Sequence, residues 1–271
     1  MTLYISDLDG TLLNDSAKLS NTSITLLNKA INNNINFTIA TARTPATVCG
    51  IMKGINIKIP AILMNGSVIY DIKNEHYISY NKLSNNISSQ IIQILDKENI
   101  NAFVYTIKND FINVYHKKII KSYQMNFYNE RSDKTKYKKF IELPVPANSN
   151  ILYFTILETE QTINNLYEKL KHMDDITITR YEDHYNKGLF YMEIYSMQSS
   201  KANGIKYLKK EYNFSKVISF GDNYNDIPMF NISDECYAVS NAVNSLKEIS
   251  TGVIGSNIDD SVAKFILNWF F

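Results

Sequence analysis

Three short apolar runs alternate with two stretches of helical spacing across the first 64 residues, and this alternation limits the fold more than any other feature. The first run is residues 2 to 6. Ser20 or Asn21 then caps a helix in which Ile24, Leu27, Ala30 and Ile31 recur every three to four residues and so share one face. Residues 37 to 40 form a second buried strand ending at Thr41, residues 45 to 53 are helix-like, and residues 60 to 64 are a third apolar run ending at Asn65-Gly66. This order predicts a doubly wound α/β fold, because adjacent parallel strands need a crossover between them. Residues 68 to 80 suggest a hairpin turning near Lys73-Asn74.

The style changes in the middle of the chain. Ser84 caps a helix bearing Ile87, Ile91, Ile94 and Leu95, and strand-like runs follow at 102–107 and 111–115. An aromatic, basic helical segment spans 119–127, and polar residues 129–139 suggest a loop or short helix. A strand at 151–157, a helix at 161–173 and a strand at 176–181 complete what looks like a separate α+β layer. After Asn186-Lys187-Gly188 the first style resumes, with strand-like 190–195, a helix from about Lys201, and strands at 217–220 and 236–239. The expected organisation is a core of residues 1–82 and 188–271, interrupted by an inserted α+β domain over 83–187.

With 28 basic and 27 acidic residues in 271, the chain gives no electrostatic reason to expect nucleic acid or an anionic membrane as partner. The opening apolar run stops at Asp7 without a basic leader, and no stretch approaches the ~18 apolar residues of a membrane span. A cytoplasmic chain is expected, with Cys49 and Cys236 as reduced, buried thiols and no evident obligate protein partner.

Four groups with chemical potential fall at predicted strand ends or at a helix start. In Asp7-Leu8-Asp9-Gly10-Thr11 the two acids lie two residues apart, so in extended backbone both face one side. The bland alternative is a capping turn. Thr41, in Ala40-Thr41-Ala42-Arg43, offers a hydroxyl and the following amides to an anion, although a threonine there is commonly only a turn residue. Lys201, after Ser199-Ser200, adds an ammonium beside positive helix-end amides. Gly221-Asp222-Asn223-Tyr224-Asn225-Asp226 has two acids and no basic neighbour, which suits a hard cation or, less specifically, a polar turn.

Taken in this order, the four groups resemble the haloacid dehalogenase superfamily of phosphatases, within it the Cof-type branch with a large α+β cap (type IIB). Met64-Asn65-Gly66, the run Tyr237-Ala238-Val239-Ser240-Asn241-Ala242 and the closing segment from Ser256-Asn257 to Phe265 extend the resemblance over nearly the whole chain. Ala42 and Ala202 stand where that family commonly has glycines, each adding a methyl near the expected phosphate pocket, and Ser261 replaces a more remote glycine.

The resemblance implies hydrolysis of a small phosphorylated metabolite, such as a sugar phosphate or FMN, through an aspartyl phosphate. Asp7 is then the nucleophile and Asp9 the acid and base. The cofactor is Mg2+, held by Asp7, the Asp9 carbonyl and Asp222, with Asp226 in support. Thr41, Lys201, Asn225 and amides near Leu8 and Ala42 take the phosphoryl oxygens. The cap chooses the leaving group, with Arg180, His184 and Tyr185 as possible contacts, while Arg43 supports the site edge or meets the cap. A sugar phosphomutase of similar build and a non-catalytic phosphometabolite sensor are the alternatives. A dehalogenase is disfavoured, since that branch does not need Asp9.

Overall fold

The computed structural model describes residues 1–133, 136–183 and 186–268. The chain divides into two compact units, Met1–Tyr80 with Ser199–Phe271, and Asn81–Gln198. Its architecture is a parallel-sheet α/β core with an inserted α+β unit.

In the first unit, five described strands form a parallel sheet in the order Gly252–Ile254, Glu235–Val239, Lys216–Gly221, Thr2–Ser6, Asn36–Ile39. Leu3, Ile5, Phe37, Ile39, Val217, Ile218 and Phe220 are all buried, which explains why these strands are apolar almost throughout rather than alternating. Ser20 is the cap of the helix Asn21–Asn32, its hydroxyl accepting from Ser23 N at 2.9 Å. Beyond Asn36–Ile39, Ala40 bridges Ile62 in parallel, and Ala61–Leu63 begins a small antiparallel sheet with Val68–Asp71 and His76–Tyr80. The expected hairpin is there, with Asp71 Oδ1 accepting from Asn74 N at 2.9 Å in its turn.

The chain runs outward from Thr2–Ser6 to Asn36–Ile39, then returns on the other flank with Lys216–Gly221. Strand order therefore reverses between Thr2–Ser6 and Lys216–Gly221, and an open α/β sheet places ligands in the crevice at such a point. Ser6 is in register with Phe220, and Asp7 N donates to Phe220 O at 3.0 Å. Asp7 and Asp222 thus leave neighbouring strands side by side.

The second unit has a six-stranded sheet in the order Ile176–Glu182, Leu189–Ser196, Ile151–Thr159, Phe103–Lys108, Phe111–Tyr115, Lys138–Ile141. Only the last pair is parallel. Helices Asn85–Lys97 and Glu160–Leu170 bury Ile91, Leu95, Ile163, Leu166 and Leu170 against Phe154, Ile156, Met192 and Ile194. One expectation is overturned here. Residues 190–195 do not resume the core sheet, because Leu189–Ser196 pairs antiparallel with both Ile176–Glu182 and Ile151–Thr159. Gly188, at φ +81°, turns a hairpin inside the second unit, and the core resumes at Ser199. The half-buried Glu193 between buried Met192 and Ile194 is the alternation of an antiparallel strand, which the apolar count alone conceals. The strand Lys138–Ile141 begins in the last two residues of the stretch expected to be a loop or short helix and runs beyond it.

Arg180 donates to Asn164 Oδ1 at 2.9 Å and lies 3.7 Å from the Tyr167 ring centroid, so it is engaged within its own unit. His184 and Tyr185 lie outside the described residues. Cys49 and Cys236 are both buried, and neither is in a disulfide. No helix among the described residues is long and apolar enough to cross a membrane.

Candidate active site

Asp7 is buried just past the carboxyl end of the interior strand Thr2–Ser6, and Lys201 Nζ donates to its Oδ1 at 2.5 Å and to Asp226 Oδ1 at 2.7 Å. The lysine arrives there because Ser200 caps the helix Lys201–Glu211, its hydroxyl accepting from Asn203 N at 3.0 Å. A β-carbon on Gly66, at φ +87°, would lie 2.1 Å from the Ser200 carbonyl oxygen, so only glycine lets the Asn65-Gly66 turn support that helix start. Asp226 is fully buried, and its Oδ2 accepts from Asp222 N at 2.9 Å and Asn223 N at 3.1 Å. Asn223 and Asp226 form a reciprocal cap that rigidifies the loop.

Asp222 receives the Thr11 hydroxyl on Oδ1 at 2.9 Å. Gly10, at φ +73°, packs so close that a β-carbon would sit 2.5 Å from Asp222 Oδ2. The first loop can therefore fold against the Asp222 loop only with glycine at this position.

Acceptor atoms of Asp7, Asp222 and Asp226 all lie within 4.8 Å of one another. Burial pushes the Asp7 carboxyl well above the usual range; Lys201 pulls it back, and the charges of Asp226 and Asp222 push it up again. Burial, with the Asp226 charge, raises Asp222 to about 6. Burial acts to lower Lys201, but the Asp226 and Asp7 charges outweigh it and hold the ammonium protonated. Three clustered carboxylates share a single ammonium, which hydrogen-bonds Asp7 and Asp226 but not Asp222, so the centre is short of positive charge. This all-oxygen donor set fits a hard divalent cation.

The remaining sequence-predicted residues have distinct settings. Asp9 lies outside the three-acid cluster: Arg43 Nε and Nη2 grip its two oxygens at 2.7 and 2.5 Å, and its side chain is 52% exposed. This bidentate pair went unforeseen, although Arg43 follows the second strand just as Asp9 follows the first. Thr41 is buried with its hydroxyl accepting from Arg43 N at 3.2 Å, while Ala42 is exposed. The Leu8 carbonyl collects amides from Thr11, Leu12 and Leu13 at 2.9–3.3 Å, holding the loop tight. Asn225 is exposed on the Asp222 loop, and Ala202 is buried in the first turn after Lys201.

The chain is 28% identical to the 5-amino-6-(5-phospho-D-ribitylamino)uracil phosphatase YwtE of Bacillus subtilis (strain 168), over 96% of this chain and 95% of the relative. It is 24% identical to the pyridoxal phosphate phosphatase YbhA of Escherichia coli (strain K12), again over 96% and 95%. Among solved structures, a haloacid dehalogenase-like hydrolase from Bacteroides thetaiotaomicron superposes with a TM-score of 0.81 at 17% identity, covering 100% of this chain and 99% of that one. The family model for haloacid dehalogenase-like hydrolases matches residues 4–266. With that match spanning both units and three aspartates converging at the sheet's switch point, the chain belongs to the haloacid dehalogenase-like hydrolases and is an enzyme of their phosphatase type.

Proposed function

We propose that this protein hydrolyses small phosphate monoesters, sugar phosphates or FMN-like metabolites, through an aspartyl phosphate formed on Asp7 with the help of Mg2+. The observation that carries this reading is the Asp7 carboxylate, nearly buried beside Asp222 and Asp226 with the Lys201 ammonium 2.5 Å away. Asp7, the Asp9 carbonyl and Asp222 would hold the ion. Asp226 supports from behind, since both its oxygens are already engaged by Lys201 and by two amides. Bound there, Mg2+ would offset the charge of the phosphate dianion and keep Asp7 ionised.

Asp7 attacks phosphorus in line, its oxygen forming a bond as the ester P–O bond breaks. Asp9 supplies the proton that the departing oxygen needs. It then takes a proton from the water that attacks the phosphoenzyme, releasing inorganic phosphate and free Asp7. Asp9 has to leave Arg43 before its carboxyl can reach a leaving oxygen. Lys201, Thr41, Asn225 and the amides around Leu8 and Ala42 bind the phosphoryl oxygens, the positioning and electrostatics that dominate this chemistry. The inserted unit, Cof-type by resemblance, selects the leaving group. The names of the relatives YwtE and YbhA, each a phosphatase of a small phosphorylated metabolite, support that substrate class.

A phosphate-release assay with p-nitrophenyl phosphate and a panel of phosphorylated metabolites tests the reading. EDTA-treated enzyme should be silent and should recover with Mg2+; full activity in metal-free buffer would refute the metal assignment. An isomerised sugar phosphate in place of inorganic phosphate would mean a mutase, and binding without turnover a sensor. Asp9→Ala should slow an alkyl phosphate at least about tenfold more than an aryl phosphate, because only the poorer leaving group depends on a donated proton. Equal losses on both substrates would remove Asp9 from the acid role.

A further inference from the structure

The turn after strand Glu235–Val239 and the segment beginning at Ser256 supply no reacting group, yet both reach the site's loops. Asn241 Nδ2 donates to the Gly10 carbonyl at 2.8 Å, while its Oδ1 accepts from Asn257 N at 3.1 Å and from Ser256 Oγ at 3.4 Å. A backbone N–H can only donate, so the Asn257 contact fixes the amide with its nitrogen toward Gly10. Asn257 is itself anchored, its Nδ2 donating to the Leu13 carbonyl at 2.9 Å. Two residues beyond Asn241, Val243 N donates to the Asp222 carbonyl at 2.9 Å.

One short turn therefore grips both loops of the acidic cluster, by a side chain on Gly10 and by the main chain on Asp222. The Gly10 carbonyl that Asn241 holds lies in the chain between Asp9 and Thr11, whose hydroxyl binds Asp222 Oδ1. The geometry points to Asn241 as a positioning residue for the divalent cation, bracing the Asp9-Gly10-Thr11 backbone against the Asp222 loop. Mg2+ demands short, near-octahedral contacts and tolerates little drift between ligands from distant parts of a chain. Groups that orient ligands from behind typically contribute about 10–100-fold in metal affinity. The inference rests on the Mg2+ site proposed above.

Isothermal titration of Mg2+ into the full-length, substrate-free protein tests it. Asn241→Ala and Asn241→Leu, the second keeping the volume without the hydrogen bonds, should each raise the Mg2+ Kd about tenfold. Asn257→Ala keeps its backbone N–H on Asn241 and should weaken binding less. In steady-state assays the Mg2+ concentration giving half-maximal rate should rise by the same factor, with most of the lost turnover recovered at saturating Mg2+. Unchanged Mg2+ affinity in both Asn241 variants overturns the brace, and so does a lower melting temperature with the Kd unmoved, which would make the contact merely structural. A wild-type protein that binds no Mg2+ would overturn the metal site itself, and the brace with it.

Discussion

Asp7→Asn should lower turnover by about four orders of magnitude or more while leaving the fold intact, since removing an enzyme's nucleophile typically costs on this scale. Asparagine has the shape of aspartate but cannot carry a phosphoryl group away from a leaving oxygen. Structural damage is a poor alternative explanation, because Lys201 would keep its 2.7 Å bond to Asp226. The substitution also removes a buried carboxylate that burial and two neighbouring acids push toward the neutral form, so the melting temperature should hold or rise. Rapid quenching of wild-type enzyme with substrate, followed by peptide mass spectrometry, should find a phosphoryl adduct on Asp7, absent from the variant. Beryllofluoride should occupy the same residue. Residual turnover within about a hundredfold of wild type, or an adduct on another side chain, would transfer the nucleophile's role elsewhere.

The core was legible because its strands and helices differ in period and because burial on both faces makes parallel strands almost wholly apolar. The neighbouring positions of Asp7 and Asp222 were not legible in that period, because only the pairing of Thr2–Ser6 with Lys216–Gly221 sets those two strand ends side by side. The strand Leu189–Ser196 was misassigned for a related reason. Its apolar residues suit either sheet, and only pairing partners reveal that Gly188 turns a hairpin rather than returning the chain to the core. The Arg43 grip on Asp9 and the Asn241 contact with Gly10 span 34 and 231 residues. No local pattern encodes such pairs, since each depends on which loop ends the fold brings together. Arg43, expected only to support the site edge or meet the cap, stands four residues beyond the end of Asn36–Ile39, the strand paired with the one that leads to Asp9.

Lys201→Met should both cripple the enzyme and destabilise it, and the pH dependence of the second effect identifies the cause. The substitution keeps an unbranched apolar stem but removes the ammonium from Asp7 and Asp226, leaving two carboxylates in a site almost closed to water. Breaking a buried pair from one side commonly costs about 3–5 kcal/mol, because the orphaned charge remains. Burial already raises the Asp7 carboxyl well above the range of an unfolded chain, and losing the ammonium raises it further. A carboxyl raised on folding binds its proton more tightly in the native state, so stability is gained as pH falls and lost as pH rises through the folded value. The variant's deficit should therefore be large at pH ~8 and shrink toward pH ~5, as the raised Asp7 carboxyl takes up its proton. Removing one acid, in the double variant Lys201→Met/Asp226→Asn, should return part of the stability at high pH. It should not return the activity, expected to fall about 10²–10³-fold, because the ammonium is also assigned to a phosphoryl oxygen. Thermal melts at both pH values, set beside kcat with p-nitrophenyl phosphate, separate the two roles. A deficit of equal size at both pH values would mean that lost packing, and not stranded charge, is what the lysine prevents.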